Sequence, residues 1–165
     1  LPMWGIYFDA LTAGVIACGC NVGAYGSEVV RGALLAVSKE QHEASKALNC
    51  DVGAIVKSLL LKVEESFLIC LVAGDKRCSL KKLKKILNKR DISMANPNEV
   101  KENTGFSIGA VSPVGHIKKL NILIDSSFNR FKNVFAAAGH PNCIFKINYN
   151  ELIKLTNGSE SDISE

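Results

Sequence analysis

Two apolar runs in the middle of the chain constrain the fold most strongly. Residues 55–63 read IVKSLLLKV, Ser66–Ala73 read SFLICLVA, and only the pair Glu64-Glu65 stands between them. Apolar runs of this length are typical of buried strands, and a two-residue polar connection is typical of a hairpin. The sequence therefore predicts a buried β-hairpin over these residues.

Helices and strands follow the hairpin without a βαβ rhythm. Ser79 is expected to cap an amphipathic helix reaching Asn88, and Asn96-Pro97 to start a second helix that Gly105 stops. Residues 107–116 hold too many glycine and proline breakers for an element and are expected to form an ordered loop. The further expectations are strands over 121–124, 134–138 and 143–147, a helix over Tyr149–Thr156, and a frayed tail over 159–165. This mixture predicts an α+β fold with a single mixed β-sheet and packed helices.

The front of the chain is unusually apolar. Asp9 is the only charged residue among residues 1–27, and residues 6–24 form a stretch close to the length that spans a bilayer. The stretch lacks a basic leading region, so we do not interpret it as a signal peptide. We expect an N-terminal apolar helical segment over residues 1–43, before a domain over residues 44–158. Residues 6–24 either associate with a membrane or pack on the domain.

Basic residues concentrate in one block. The net charge is +4, and residues 76–90 contain eight lysines and arginines and no acidic residue. A solvated helix face, a patch that follows nucleic-acid phosphates and a membrane-surface patch all have this pattern. The block alone does not separate the three.

The cysteines and histidines do not indicate a metal or cofactor site. Six cysteines are present without a CxxC pair, and buried small hydrophobic residues are the simplest interpretation. The chain also lacks zinc-ligand spacing, a P-loop and a dinucleotide-binding fingerprint. We therefore expect neither a metal nor a cofactor.

Five sequence blocks, in order, resemble the YbaK/ProX family of aminoacyl-tRNA deacylases. They are ALNCDVGAIVKSLL (47–60), VAGDKRCSLKKL (72–83), MANPNEVKENTGFSIGAVSPVGH (94–116), LIDSSFNRFKNVFAAAGHPNCIFKI (123–147) and ELIKLTNG (151–158). The resemblance implies a cytoplasmic hydrolase that acts in trans on the ester of mischarged tRNA and proofreads translation. Its implied partners are the mischarged tRNA and an aminoacyl-tRNA synthetase.

The resemblance also implies roles for particular residues. The catalytic group would be Lys57, which interrupts an apolar strand, with an oxyanion cradle from the backbone of Gly109 and Ala110, where the family often has two glycines. The substrate-binding residues would be Ser112, Pro113, Gly115, His116, Asp125, Gly139 and His140. The tRNA backbone would be bound by Lys76, Arg77, Lys81, Lys82, Lys84 and Lys85.

Several of these residues also have a simpler interpretation. Lys57 would then point to solvent, and the two histidines would lie on the surface. Asp125 would either orient Lys57 or only end a strand. Gly139 is expected to let the substrate adenosine approach the sheet.

Residues 8–44 resemble a different family, the amino-acid ABC transporter permeases. There an apolar helix leads into a motif matched by AYGSEVVRGAL at residues 24–34, and then into a loop with an EAA motif. This resemblance adds one alternative to the deacylase, a membrane-anchored relic of a transporter. A second alternative is a catalytically silent module that binds tRNA or a synthetase, which Ala110 in place of a family glycine favours.

Overall fold

The computed structural model describes residues 49–165 together with Asp9, Thr12, Ala13 and Val15. The chain divides into two compact units, Leu1–Ser38 and Lys39–Glu165. Apart from those four residues, the predicted apolar segment and the permease-like stretch lie outside the described residues. In the part of the chain that is described, no helix is both long and apolar enough to cross a membrane.

A five-stranded mixed sheet forms the centre of the second unit. Strands β1 (Val56–Val63) and β2 (Ser66–Ala73) pair antiparallel, from Val56 opposite Ala73 to Val63 opposite Ser66. Glu64 takes a left-handed conformation in the turn, with φ of 54°. The predicted buried hairpin is confirmed in position, with Glu64 and Glu65 at its turn.

The other three strands extend the sheet on both sides of this hairpin. The strand order is β3-β1-β2-β4-β7, where β3 is Ile92–Met94, β4 is Asn121–Asp125 and β7 is Ser159–Ser161. β3 runs antiparallel to β1, whereas β4 runs parallel to β2 and β7 parallel to β4. β3 was not predicted, because three residues are too few to show a strand period.

The sheet separates two hydrophobic clusters. Even-numbered β1 residues such as Val56 and Leu60 join a cluster with Val111, Phe128 and Leu152. Odd-numbered residues such as Leu61 and Val63 join a second cluster on the other face, together with Cys70, Leu83 and Ile163. Successive side chains of a strand point to opposite faces, so a fully buried strand carries apolar residues in both positions.

The strands do not all join one sheet, which corrects the predicted single mixed sheet. Strands β5 (Asn133–His140) and β6 (Cys143–Asn148) form a separate two-stranded sheet. A register shift between Ala137 and His140 bends β5, and the hairpin meets the sheet through an isolated bridge between Ile55 and Phe135. The α+β class is confirmed. The division of the strands into two sheets depends on which strands pair over long distances in the chain, and local sequence pattern does not encode that pairing.

Three helices pack on these strands. They are α1 (Leu80–Leu87), α2 (Pro97–Thr104) and α3 (Tyr149–Thr156). Asn96 caps α2 in a capping box with Glu99, and Gly105 ends that helix with φ of 84°. Ser79 occupies the position before α1 but makes no side-chain cap; its hydroxyl donates instead to Glu165 Oε2 at 3.1 Å. Ser79 therefore stands at the predicted start of the helix, but the prediction that its side chain caps the helix is wrong.

The last seven residues are ordered, which overturns the predicted frayed tail. β7 pairs with β4, Ile163 is fully buried, and the backbones of Arg77 and Glu165 exchange hydrogen bonds of 3.0 and 2.9 Å. We call residues 159–165 the C-terminal strap. A short polar stretch was predicted to fray; here the apolar Ile163 and the ladder hydrogen bonds hold it on the sheet.

Candidate active site

Lys57 lies near the start of β1 and is partly buried. Its ammonium donates a hydrogen bond to the backbone carbonyl of Lys76, in the loop that follows β2. Burial lowers the pKa of the Lys57 amine, and the Asp75 carboxylate opposes that effect. Lys57 therefore does not point freely into solvent. Asp125 does not orient it either, because the hydrogen-bond partner is Lys76.

The loop of residues 107–116 contains the predicted oxyanion cradle, and we call it the oxyanion loop. It lies on the opposite face of β1 from Lys57. Val111 of that loop packs in the same cluster as Val56, whereas Lys57 alternates with Val56 and faces the side of Cys78. The hydrogen bond that Lys57 donates goes to the Lys76 carbonyl, in the loop after β2. The structure thus places Lys57 and the pair Gly109-Ala110 on opposite faces of one strand.

The loop itself is a buried segment between two exposed glycines. Ala110, Ser112 and Pro113 are buried, while Gly109 and Gly115 are exposed and have φ of 83° and 81°. Positive φ is readily adopted by glycine, and such positions let the backbone approach a ligand closely. The two glycines therefore present open backbone at both ends of the loop.

Ala110 does not contribute an open amide. Its N–H donates to the Ser107 carbonyl at 3.0 Å, and its side chain is fully buried. An amide already bonded inside its own loop is not aimed at a reacting oxygen. This geometry disagrees with the expectation that Ala110 forms part of the cradle, and it leaves Gly109 as the exposed member of that pair.

His116 closes the loop. Its Nε2 lies 2.8 Å from the Ser112 carbonyl oxygen, and its ring meets Phe106 edge-on with centroids 6.2 Å apart. Because a carbonyl only accepts, Nε2 carries the proton, and a neutral ring then presents Nδ1 as an acceptor. His116 is thus a loop-holding residue with one ring nitrogen left for a ligand.

Phe106 joins the loop to the β5–β6 hairpin. A Cβ built on Gly139 would lie 2.9 Å from Phe106 Cε1, and one on Gly115 would lie 3.9 Å from Phe106 Cζ. The close approach predicted at Gly139 is therefore made by this ring, where a substrate adenosine was expected. Exposed His140 accepts a 3.2 Å hydrogen bond from the Asn142 N–H and holds the hairpin turn.

Asp125 is a structural carboxylate, contrary to its predicted role in substrate binding. It is fully buried at the end of β4 and accepts hydrogen bonds from Ser127 Oγ, from Ser164 Oγ at 2.8 Å and from the Ile163 N–H at 3.2 Å. Buried charge is stable when hydrogen bonds satisfy it. These contacts fix the C-terminal strap and leave the carboxylate shielded from a substrate.

Five of the six predicted tRNA-contacting residues fall into two groups. Lys76 and Arg77 lie in the loop beside Lys57, whereas Lys81, Lys84 and Lys85 lie on the exposed side of α1. A groove of about 430 Å³ at the end of α1 is lined by Lys84, Lys85, Asn88, Lys89 and Arg90.

Lys82 belongs to neither group. It pairs with both carboxylate oxygens of Asp162 at 2.7 and 2.9 Å and also donates to the Ser164 carbonyl. These bonds tie α1 to the C-terminal strap. Lys82 is therefore engaged within the molecule, in contrast to its predicted contact with the tRNA backbone.

Sequence reasoning missed the residues that surround Lys57. Asp75 forms an ion pair with Arg130, whose guanidinium lies 4.6 Å above the Phe131 ring. Interaction between the Cys70 and Cys78 thiols raises the pKa of Cys70 and lowers that of Cys78. Asp75 and Arg130 lie 55 residues apart in the chain, so only the polar character of the GDKRC stretch signalled their pairing.

Ser58 was missed as well. Its hydroxyl is buried and has no hydrogen-bond partner among the described residues. By alternation it faces the side of β1 that carries Val56 and the oxyanion loop. A buried polar group without a partner marks a place where a water or a ligand would bind.

Metal chemistry has no obvious ligands here. Within residues 49–165, no three His, Cys, Asp or Glu side chains lie close enough together to hold a metal ion. The chemical groups at the candidate site are thus a partly buried ammonium, open glycine backbone, an imidazole nitrogen and a buried hydroxyl.

The fold combines a mixed sheet with a separate hairpin, and the candidate site combines a glycine loop with a lysine on a strand. Known proteins with a similar sequence and structure identify the family to which these features belong. The chain belongs to the aminoacyl-tRNA editing domain family, which matches residues 38–155. A solved structure described as a putative trans-editing enzyme for prolyl tRNA synthetase is 37% identical. It superposes with a TM-score of 0.73 over 76% of this chain and 79% of that chain.

Two relatives extend the comparison. The uncharacterized protein YwhH of Bacillus subtilis is 33% identical over 111 residues, which cover 67% of this chain and 70% of that protein. The proline–tRNA ligase of Thermosipho africanus is 35% identical over 91 residues, which cover 55% of this chain but 16% of the ligase. The chain thus spans about a sixth of the ligases that it matches.

Proposed function

We propose that this chain hydrolyses the ester that joins a wrong amino acid to its tRNA, acting in trans on the mischarged tRNA. The observation that carries the proposal is the match to the aminoacyl-tRNA editing domain over residues 38–155. The likeness to a putative trans-editing enzyme over 79% of that protein supports action as a separate chain. The setting would be the cytoplasm, with a synthetase as the second partner.

The reaction requires little beyond placement and charge. Water attacks the ester carbonyl and gives up a proton, negative charge develops on the carbonyl oxygen, and the bond to the ribose oxygen breaks as that oxygen takes up a proton. Donors aimed at the developing oxyanion each contribute about 10²–10³ in rate. In this proposal the exposed Gly109 backbone and His116 line the reacting group. The Ser58 hydroxyl, which has no hydrogen-bond partner among the described residues, makes a hydrogen bond to the substrate.

Lys57 takes the charged role in the proposal. An ammonium that is partly buried interacts more strongly with an anion than one in bulk water. Because Lys57 lies on the opposite face of β1 from Gly109, we assign it to the terminal phosphate or ribose end of the substrate, with Lys76 and Arg77 beside it. The exposed lysines of α1 then follow the tRNA backbone further out.

The buried Ala110 favours a second candidate function. With the Ala110 N–H bonded to Ser107 at 3.0 Å, the loop has one donor fewer for an oxyanion. A chain of this kind would bind tRNA without hydrolysing it. This silent module shares the basic residues of the first candidate but not its chemistry.

Deacylation assays separate the two functions. The full chain is incubated with a panel of tRNAs, each charged with a wrong amino acid, and ester loss is followed with time. We expect hydrolysis of at least one member, and a loss of about 10²-fold in rate for Lys57→Met, because the terminal nucleotide is then no longer held in place. Lys62→Met, on the same strand but paired with Glu99 at 3.0 Å, is the matched control and should keep the activity. Binding without hydrolysis by the wild-type chain would establish the silent module instead.

A further inference from the structure

An isoleucine and two lysines, all exposed, directly follow the oxyanion loop. Residues 117–119 read Ile-Lys-Lys, and we call them the 117–119 segment. Ile117 is 72% exposed, more than any other large apolar residue in residues 49–165. It also stands next to His116 of the candidate site. An apolar side chain held in water beside a substrate site is available to contact the substrate.

The backbone of the 117–119 segment is fastened to the C-terminal end of α2. The Ile117 N–H donates to the Thr104 carbonyl at 3.3 Å, and the Lys118 N–H donates to the Asn103 carbonyl at 3.1 Å. The last carbonyls of a helix have no partner within the helix, so these bonds satisfy them. A Cβ built on Gly105 would lie 2.9 Å from Ile117 Cδ1, so this side chain lies over the helix end. These contacts order the segment without a ligand, which lowers the entropic cost of binding one.

The two lysines of the segment carry positive charge that no ion pair neutralises within residues 49–165. The basic residues that form ion pairs there are Lys62, Lys82, Lys89 and Arg130. Lys118 Nζ donates instead to the side-chain oxygen of Asn103 at 3.0 Å, which is a neutral acceptor. The segment therefore offers two positive charges to an anion.

The 117–119 segment lies on the same side of the sheet as the oxyanion loop. Val100 of α2 and Leu120, which follows the segment, both pack in the cluster that contains Val111 of the loop. Helix α1 packs on the other side, because Leu83 belongs to the second cluster. A substrate that reaches the oxyanion loop therefore has Lys118 and Lys119 on its own side of the sheet, and the lysines of α1 across it.

The chemistry of an aminoacyl-tRNA indicates what this segment would contact. The terminal ribose carries both the ester and a base, so the base lies beside the oxyanion loop when the ester does. The Phe106 ring fills the space at Gly139 where the adenosine was expected, whereas Ile117 is open. Proteins hold single-stranded nucleic acid by combining a surface for the face of a base with positive charge for the backbone. The 117–119 segment provides both.

We propose that the 117–119 segment binds the single-stranded 3′ end of the tRNA. Ile117 contacts the terminal base, and Lys118 and Lys119 contact the phosphates that precede the terminal nucleotide. This inference rests on the proposed function, which brings the ester to the oxyanion loop. It assigns binding, and no step of the hydrolysis, to the segment.

The test compares the binding of two uncharged tRNA samples to the full chain. One is bulk tRNA, and the other is the same tRNA after its terminal adenosine has been removed by periodate oxidation, β-elimination and phosphatase treatment. Uncharged tRNA makes the measurement independent of hydrolysis. Filter binding should show that the wild-type chain prefers the complete tRNA. Ile117→Ser should reduce that preference about fivefold, the order expected when an apolar side chain of this size is covered in part.

Two variants control for the loss of apolar surface. Ile117→Leu retains an apolar side chain and should retain the preference for the complete tRNA. Leu155→Ser removes another exposed apolar residue, in α3, where Leu155 is 56% exposed. Because α3 has no part in the inference, this variant should bind the two samples as the wild-type chain does.

The salt dependence of the same binding tests the lysines. Replacing Lys118 and Lys119 by Gln should lower the log–log slope by about 1.4, at about 0.7 per phosphate contact on a single strand. Lys154→Gln, at an exposed position in α3, is the matched control and should leave the slope unchanged. An unchanged slope in the double variant would overturn the assignment of the two lysines.

Deacylation by the same variants separates this inference from the proposed function. A preference for the terminal adenosine that is lost in Ile117→Ser, in a chain that hydrolyses no ester, would support the inference while the proposed hydrolysis fails. Equal binding of the two tRNA samples by the wild-type chain would overturn the inference, even if mischarged tRNA is hydrolysed. An undiminished preference in Ile117→Ser would overturn it as well.

Discussion

Three glycines in the candidate site share one backbone conformation but differ in their distance from Phe106. Their φ angles are 83° at Gly109, 81° at Gly115 and 86° at Gly139. An added Cβ meets no atom within 4 Å at Gly109, lies 3.9 Å from the ring at Gly115 and lies 2.9 Å from it at Gly139. Alanine substitution at the three positions therefore separates backbone strain from steric contact.

The expected costs follow from these two contributions. A left-handed conformation costs an L-residue about 1–2 kcal/mol, so Gly109→Ala and Gly115→Ala should each lower the free energy of unfolding by about that amount. Gly139→Ala adds the contact with the ring, for which overpacking costs about 1–3 kcal/mol. The entropic effect of the substitution on the unfolded chain is common to all three and cancels in the comparison.

Urea unfolding followed by far-ultraviolet circular dichroism measures these differences. In a Phe106→Leu background the ring edge is absent, and Gly139→Ala should then cost no more than Gly109→Ala. Equal costs at all three glycines in the wild-type background would show that the ring does not restrict Gly139. A cost at Gly139 that persists after Phe106→Leu would refute the contact as its cause.

Three further predictions concern the helix α1, the start of α2 and the C-terminal strap. Replacing Lys84 and Lys85 by Gln should flatten the log–log salt dependence of tRNA binding by about 1.4–1.8, at about 0.7–0.9 per phosphate contact; an unchanged slope would leave these lysines as a solvated face. The Asn96 backbone lowers the pKa of Glu99 from 4.5, so the stability that Glu99 contributes is present above pH 4.5 and lost as the pH falls through the lowered pKa. Glu99→Gln should weaken that acid dependence in urea titrations at pH 3 to 6, and identical profiles would contradict the capping role. Asp125→Asn should cost about 1–3 kcal/mol, because a buried donor is left unsatisfied, and should speed hydrogen exchange of the Ile163 amide; unchanged exchange would mean that the strap is held by other contacts.

Local chemistry made much of the fold predictable. The hairpin, the helix over Tyr149–Thr156 and the stop at Gly105 all appear as predicted, because apolar period, proline and glycine act within a few residues. The two small edge strands and the separate β5–β6 hairpin depend on which strands meet in space. Their sequences carry no local signal for that choice.

The candidate site shows the same division. The resemblance pointed to Lys57 and the glycine loop, but it did not indicate that they lie on opposite faces of β1. Asp125 and Lys82 were expected to face a substrate, yet both are engaged by the C-terminal strap. The strap had been predicted to fray. Hydrogen bonds from the strap to Asp125 and Lys82 were therefore not expected, and both side chains were assumed to be available to a substrate. The role of Phe106 was missed because one aromatic residue after a helix-ending glycine is ordinary in sequence.

The brevity of β3 and β7 has a consequence for how copies of this chain meet at high concentration. Both outer strands of the five-stranded sheet contain three residues, Ile92–Met94 on one side and Ser159–Ser161 on the other. Unpaired backbone at the margin of a sheet invites another chain to add a strand, and long flat margins are prone to aggregation. Here a second copy would find only a few peptide groups to pair with on either side. The long apolar strands β1 and β2 lie between these short strands, so their backbone groups are paired within the sheet.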